Sequence, residues 1–312
     1  MERLIIDTDP GVDDAQAILM AAAHPGVKLE ALMAVAGNVG LEHTLRNAVT
    51  LTEVVGQDIP VYAGCDRPLV MFQEDAAFAH GSDGLGGCGY VPQRRTHESE
   101  HAVNALVRMV NESPGELTIA AIGPLTNIAM AVRLDPEFPK KVKRFVIMGG
   151  AVTAQGNTSS VTAEFNIYFD PEAAYIVFEA WAEAGEMIEV IDWELTRRNS
   201  TPGALVDEWL KIDTPKAEFF RKLTANNLKV IEQRYGRRML FGADPLALAV
   251  TLEPDIVTRA EEHRAWVEIR GMHTYGQTVV DWLDRLKQKP NVRVILELDK
   301  ERFHALLEQG LR

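Results

Sequence analysis

The feature that most constrains this chain is a series of short, mostly apolar runs separated by segments with helical periodicity. Leu4–Ile6, Leu29–Val35, Ile59–Tyr62, Leu117–Ile122, Phe145–Met148 and Ile188–Ile191 have the length and residue types of strands. Several, such as Leu4–Ile6 and Phe145–Met148, are apolar throughout rather than alternating. A strand with one face in water alternates polar with apolar residues, whereas a strand covered by helices on both faces does not. Between the runs, Ala15–Ala23 has a helical pattern that His24-Pro25-Gly26 stops, and His43–Val55 is a second helix. The stretch from about Thr196 to Leu252 is mostly helical; Val292–Leu298 returns to strand and a helix starts at Lys300. Strands alternating with helices imply βαβ units and an open, mainly parallel sheet flanked by helices. No repeat, low-complexity tract or Pro/Gly/Ser linker divides the 312 residues, so the expectation is an α/β fold in a single domain, 1–312.

Composition narrows the partners. A net charge of −13 repels nucleic acids and anionic membranes but not a small neutral substrate, and it attracts cations. Two cysteines, Cys65 and Cys88, argue against a disulfide framework and a zinc cluster. No apolar run is long enough to span a bilayer. The opening MERLIIDTD enters a strand pattern directly, so the expectation is a cytoplasmic protein.

Chemistry concentrates at Asp7-Thr8-Asp9-Pro10-Gly11-Val12-Asp13-Asp14, which packs four carboxylates into eight positions between the first strand and the first helix. Ligands of open parallel sheets bind beyond the carboxyl ends of strands. Crowded carboxylates repel one another, and a cation, a shared proton or a helix N-terminus offsets that repulsion. Oxygen-only ligands favour calcium or magnesium over softer metals. The plainer alternative is that Asp13 and Asp14 complement a helix dipole and Asp7 bonds turn amides. A second irregular feature is His80–Pro92, HGSDGLGGCGYVP, whose glycine density marks either a connector or an active-site loop.

The string DTDPGVDDAQAIL closely resembles the N-terminal signature of nucleoside hydrolases of the inosine–uridine-preferring type. VAGNV (35–39), IGPLTNIA (122–129), VIMGG (146–150), AEFNIYFDPEAA (163–174), TVVD (278–281) and PNVRV (290–294) follow in the family's order, so the resemblance covers essentially the whole chain. It implies a Rossmann-like α/β fold and calcium-dependent hydrolysis of ribonucleosides to ribose and base, a purine or pyrimidine salvage reaction. It further implies a homo-oligomer, dimer or tetramer. Carried over by motif, Asp9 resembles the base that activates water. Asp9, Asp14, Asp244 and the Thr126 carbonyl resemble calcium ligands. Asp13, Asn38, Asn157, Glu164 and Asn166 resemble the groups that hold the ribose. Met148 matches a methionine beneath the sugar, and His80 a histidine near sugar and base.

Each of these residues has a plainer explanation. Asp170-Pro171-Glu172 has the form of a helix start, and Asp244-Pro245 has the same form; Met148 fits a core strand and Asn38 a turn. The family often has His-Asp-Pro where this chain has Ala243-Asp244-Pro245, and that histidine is associated with protonating the departing base. Alanine donates no proton, which leaves Tyr235, Arg234, Arg238 and His80 as candidates, Tyr235 first. Two other readings remain open at this level: a nucleoside-binding protein with little turnover, and a magnesium phosphohydrolase of the haloacid-dehalogenase type, which begins with a similar Asp-x-Asp but lacks the Pro-Gly and the two further aspartates.

Overall fold

The computed structural model describes residues 1–70 and 75–312. Its strands are β1 (Glu2–Thr8), β2 (Val27–Ala34), β3 (Val61–Ala63), β4 (Glu98–His101), β5 (Leu117–Ala121), β6 (Arg144–Met148), β7 (Ile188–Ile191), β8 (Thr201–Pro202), β9 (Met239–Leu240), β10 (Val257–His263), β11 (Ala265–Val267), β12 (Thr278–Val280) and β13 (Val292–Leu298). Nine of them form one sheet in the order β10-β13-β7-β6-β5-β1-β2-β3-β4. Every pairing in that sheet is parallel except β10 with β13. The fold is thus the expected α/β architecture in one domain.

Successive residues of the central strands feed opposite faces. Leu4 and Ile6 join one apolar cluster and Ile5 the other; Val146 and Met148 join the first, Phe145 and Ile147 the second. Both faces are dry, which is why these strands lack alternation. Helices Val12–Ala23, Pro215–Tyr235, Ala243–Leu252 and Lys300–Gly310 cover the first face, and Ala102–Glu112, Thr126–Leu134 and Pro171–Ala184 the second.

The chain runs outward from β1 to β4, then returns to the other side of β1 to add β5, β6 and β7. The winding therefore reverses between β1 and β5, and their carboxyl ends diverge into the crevice where α/β sheets bind ligands. Asn127 ties the strand ends there. Its Nδ2 donates to Asp7 Oδ2 at 2.8 Å and the Ala34 carbonyl at 3.3 Å, and its Oδ1 accepts from the Cys65 amide at 2.8 Å.

The structure departs from the sequence reading in detail. β3 starts after Pro60, which has no N–H for a ladder, rather than at Ile59. β4, Glu-Ser-Glu-His, carries no apolar signal because it is the outer edge of the sheet. The helical stretch 196–252 is interrupted by the small β8–β9 ladder. The sequence reading places no strand at β10, where exposed positions run through the strand, or at the β11–β12 ladder, whose strands are only three residues each. Irregular chain begins at Gly81, since His80 closes the helical turn Ala77–His80. The loop is not a free connector. Leu85 is buried, and Asn47 Nδ2 donates to both the Asp83 and Pro10 carbonyls, at 2.8 and 3.0 Å. Among the described residues no helix is long and apolar enough to cross a membrane.

Asn127→Ala should destabilise the protein by about 1–3 kcal/mol, because it strips partners from a buried carboxylate and a backbone amide. Urea unfolding checks this; a midpoint equal to that of the unaltered protein would show that Asn127 does not hold the strand ends.

Candidate active site

The site begins with what β1 delivers. Asp7 lies near the end of β1 and Asp9 directly follows it, and Pro10-Gly11 leads into the helix that carries Asp13 and Asp14. Asp14 is oriented by three donors: Thr8 Oγ1 at 2.6 Å, the Gly11 amide at 2.8 Å and Asn38 Nδ2 at 3.1 Å. Asp9 Oδ2 accepts from the Asn38 amide at 2.7 Å. Its other oxygen, Oδ1, is buried without a partner. The Asp9 carboxylate is wedged between two glycines: a Cβ on Gly37 would meet Oδ2 at 2.1 Å, and one on Gly123 would meet Oδ1 at 2.6 Å.

Asp244 arrives from far along the chain. It is not a helix cap; Gly242 occupies that position, and Asp244 sits inside the helix Ala243–Leu252. One oxygen each of Asp13, Asp14 and Asp244 lies within 4.8 Å of the others. Asp13, expected against the sugar, therefore shares this trio, while Asp9 stands beside it. Burial pushes the Asp9 and Asp244 carboxyls well above the usual carboxylate range, and the charges of Asp13, Asp14 and Asp9 push Asp244 further. Burial also raises Asp13, to about 6. Among the described residues no lysine or arginine pairs with any of these carboxylates, and the nearest basic group, His80 Nδ1, is 3.8 Å from Asp13 Oδ1. An orphaned buried oxygen and an all-carboxylate donor set with no countercharge fit a hard divalent cation.

Thr126 opens the helix Thr126–Leu134, and its hydroxyl donates to Asp170 Oδ2 at 2.7 Å. It follows Gly123, which touches Asp9, but it does not line the cavity above. Asp170 is the helix cap the sequence suggested, accepting from the Ala173 amide.

Over this floor lies a cavity of about 490 Å³. Its polar side holds Asp13, Asn38, Asn157, Glu164 and Asn166, with the Met148 thioether among them. Glu164 caps the helix Phe165–Phe169 and also accepts from the Gly150 amide at 2.9 Å; burial raises its carboxyl to about 7. Asn166 spends its Nδ2 on the Ile122 and Met148 carbonyls, both at 3.0 Å, and on Met148 Sδ at 3.3 Å, which fixes the amide. Asn157 is exposed at the rim.

The cavity is also lined by His80, Arg234, Tyr235 and Ala243, together with residues the sequence reading missed: Trp193, Phe241, Phe165, Tyr168 and Asn227. Trp193 was findable, since it directly follows the end of β7 and its neighbour Asp192. Phe241 and Asn227 had no signal apart from the fold. Arg238 does not reach the cavity; it pairs with Asp207. His80 Nδ1 accepts the Val12 amide at 3.0 Å, so the ring is neutral with its proton on Nε2, and burial lowers its pKa. It is a donor of hydrogen bonds rather than of protons.

A carboxylate-floored cavity at the switch point of a parallel sheet marks a ligand site, and comparison with known proteins identifies its class. The family model for inosine-uridine preferring nucleoside hydrolases matches residues 4–305. An inosine-uridine preferring nucleoside hydrolase of Crithidia fasciculata is 35% identical, covering 99% of this chain and 97% of its own. A pyrimidine-specific ribonucleoside hydrolase, RihB, of Escherichia coli is 34% identical, with coverage of 99% and 97%. The solved structure of a plant nucleoside hydrolase superposes with a TM-score of 0.91 at 34% identity, covering 99% of this chain and 98% of that one. The chain belongs to the inosine-uridine preferring nucleoside hydrolase family, and is an N-glycosyl hydrolase acting on ribonucleosides.

The raised carboxyls set a pH dependence. Burial lifts Asp7 from 3.8 to about 8 and Glu164 from 4.5 to about 7. The folded state holds these protons more tightly than the unfolded chain, so their stabilising effect is complete below the unfolded pKa values and lost as pH rises through the folded ones. In chelator, the melting temperature should fall as pH rises from about 5 to about 8, and Asp7→Asn should flatten part of that slope. A flat or rising profile in the parent protein would contradict the assignment.

Proposed function

We propose that this protein hydrolyses the N-glycosidic bond of ribonucleosides in a calcium-dependent reaction, with Asp9 as general base and Tyr235 as the acid for the departing base. The observation that carries the reading is the trio Asp13, Asp14 and Asp244, beside the unpartnered Asp9 Oδ1 and beneath a cavity of nucleoside dimensions. Asp9, Asp14, Asp244 and the Thr126 carbonyl are the residues that would hold the ion, with Asp13 close enough to join them. When bound, calcium supplies the charge that grips ribose hydroxyls and acidifies a water.

The chain's own residues do the rest. Asp9 Oδ1 has a free lone pair, and burial makes its carboxylate a stronger base, so it is the group to take the proton of the attacking water. Asn38 holds the other oxygen and keeps the group aimed. Asp13, Asn157, Glu164 and Asn166 surround the ribose with acceptors and amides, and Met148 offers a polarizable surface beneath it. As the glycosidic bond breaks, positive charge grows on the ribosyl ring, and surrounding carboxylates favour it. On the base side Ala243 offers only a methyl group, neutral His80 a hydrogen bond and Arg234 a guanidinium, which can steady a departing anion but is a poor proton donor; the phenol of Tyr235 is therefore the proton source we propose. The family resemblance adds a homo-oligomer, dimer or tetramer, which sedimentation velocity would check.

Ribose release from inosine, uridine, cytidine, adenosine and guanosine, with calcium and with chelator, tests the proposal; release that persists undiminished in chelator would overturn the calcium dependence. Asp9→Ala should lower turnover by roughly 10²–10⁴-fold in a folded protein. Tyr235→Phe should slow natural nucleosides while sparing p-nitrophenyl riboside, whose leaving group needs no proton. Equal losses on both substrates would assign Tyr235 to binding instead.

A further inference from the structure

We propose that Asp192 and Glu194 are positioning residues for the sugar half of the site: together they hold the loop 151–157 by its backbone and so set Asn157 against the ribose. The inference rests on the proposed reaction, since it concerns how the ribose of that same substrate is met. Asp192 follows β7 directly and caps the helix Trp193–Arg198, in which Glu194 is the second residue. Both side chains are buried, and neither lines the cavity.

Their hydrogen bonds run to the loop. Asp192 Oδ1 accepts the Leu195 amide of its own helix at 2.7 Å, and Oδ2 accepts the Val152 amide at 3.3 Å. Glu194 reaches further along. Its Oε1 accepts the Thr153 hydroxyl at 2.8 Å and the Gln155 amide at 3.0 Å, and its Oε2 accepts the Thr153 amide at 2.9 Å. The two carboxyls are also hydrogen-bonded to each other, so one of them carries a proton. Burial, reinforced by Glu194, pushes Asp192 up to about 8. Burial opposes ionisation of Glu194 too, but hydrogen bonds from Asp192, Thr153 and Gln155 outweigh it and hold that carboxyl below its ordinary range. The pair thus shares one proton, carried by Asp192, and Glu194 is the charged acceptor on which the loop donors converge.

That convergence accounts for a backbone feature. Ala154 lies between the two residues whose amides bind Glu194, and its φ is +63°. A residue with a side chain adopts this left-handed conformation only when its surroundings impose it. Trp282 adds a further hold, its Nε1 donating to the Val152 carbonyl at 3.2 Å. The loop is tied to the sugar side at both ends. Before it, the Gly150 amide donates to Glu164 Oε2 at 2.9 Å, and at its end the Asn157 amide donates to the Ala163 carbonyl at 3.1 Å. Asn157 itself is exposed at the rim, so the backbone that carries it, rather than packing around it, decides where its amide points. An amide held in place before the sugar arrives loses less freedom on binding it. Glu194 therefore acts on ribose affinity through Asn157.

Kinetics and ribose titration of Glu194→Ala, Glu194→Gln, Asn157→Ala and the double variant test the inference. Glu194→Ala should raise KM for inosine and weaken ribose binding by about three- to tenfold, the scale of one hydrogen bond, with kcat changed by less than about twofold. Glu194→Gln keeps an acceptor for the loop amides and a donor for Asp192, and should bring both values back to within about twofold of the parent. In the Asn157→Ala background Glu194→Ala should add nothing, because the group it acts through is gone. A lower melting temperature with KM and ribose affinity unchanged would reduce the pair to a structural role and overturn the inference. Additive losses in the double variant, no rescue by Gln, or weakened hypoxanthine binding with ribose binding intact would do the same. Should Glu194→Ala not fold, Thr153→Val at an exposed position removes only the hydroxyl bond to Glu194. It should weaken ribose binding to a smaller degree, and not at all in the Asn157→Ala background; unchanged ribose binding in Thr153→Val alone would count against the hold. Ribose titration needs no turnover, and ribose release by the parent protein reads the proposed reaction separately, so failure of one is distinguishable from failure of the other.

Discussion

Mutual repulsion among carboxylates at the end of β1 is the constraint around which the site is arranged. Asp9, Asp14 and Asp244 are buried, Asp13 is nearly so, and no basic side chain among the described residues answers them. Such an arrangement is costly in isolation, because burial and like charge both oppose ionisation. The surrounding structure makes it tolerable. Thr8, Gly11 and Asn38 donate to the carboxylates, and glycines at 37 and 123 leave room for the Asp9 side chain. A hard cation of the kind proposed above would remove the remaining imbalance, and it would depend on the same groups that shape the fold here.

The position of the cluster is a property of the sheet. β1 is central, and the winding reverses beside it, so the end of β1 opens into a crevice instead of against a neighbouring connection. Sequence-distant segments converge there because each follows the end of a parallel strand: Asn38 after β2, Met148 at the end of β6, Trp193 after β7. The lining of the cavity is thus assembled by the order of strands in the sheet.

Legibility in the sequence followed the physics of burial. β1, β5 and β6 were plain because both of their faces are dry and their residues correspondingly apolar. β4 and β10 carried no such pattern, since edge strands are free to be polar. Asp7–Asp14 announced itself by local density, and the order of family motifs pointed to Asn38, Glu164, Asn166 and Asp244, all of which line the cavity. Asp244 shows the limit of local reading: Asp-Pro is the form of a helix cap, yet the cap is Gly242. Tyr235 was singled out in the sequence and Trp193 was open to reading from its place after β7, but their meeting through Phe241 was illegible because it arises only in tertiary packing.

That convergence has a consequence for how the enzyme comes into being. Asp9 and Asp244 are brought together from opposite ends of the chain, with the helix of Asp244 packed against the helix that carries Asp13 and Asp14. During synthesis the first carboxylates emerge long before the last one, and until the segment around Ala243–Leu252 has docked neither the carboxylate trio nor the lining of the cavity is complete. The cluster is therefore among the later features of the molecule to be completed, and a chain that stops short of Asp244 lacks it.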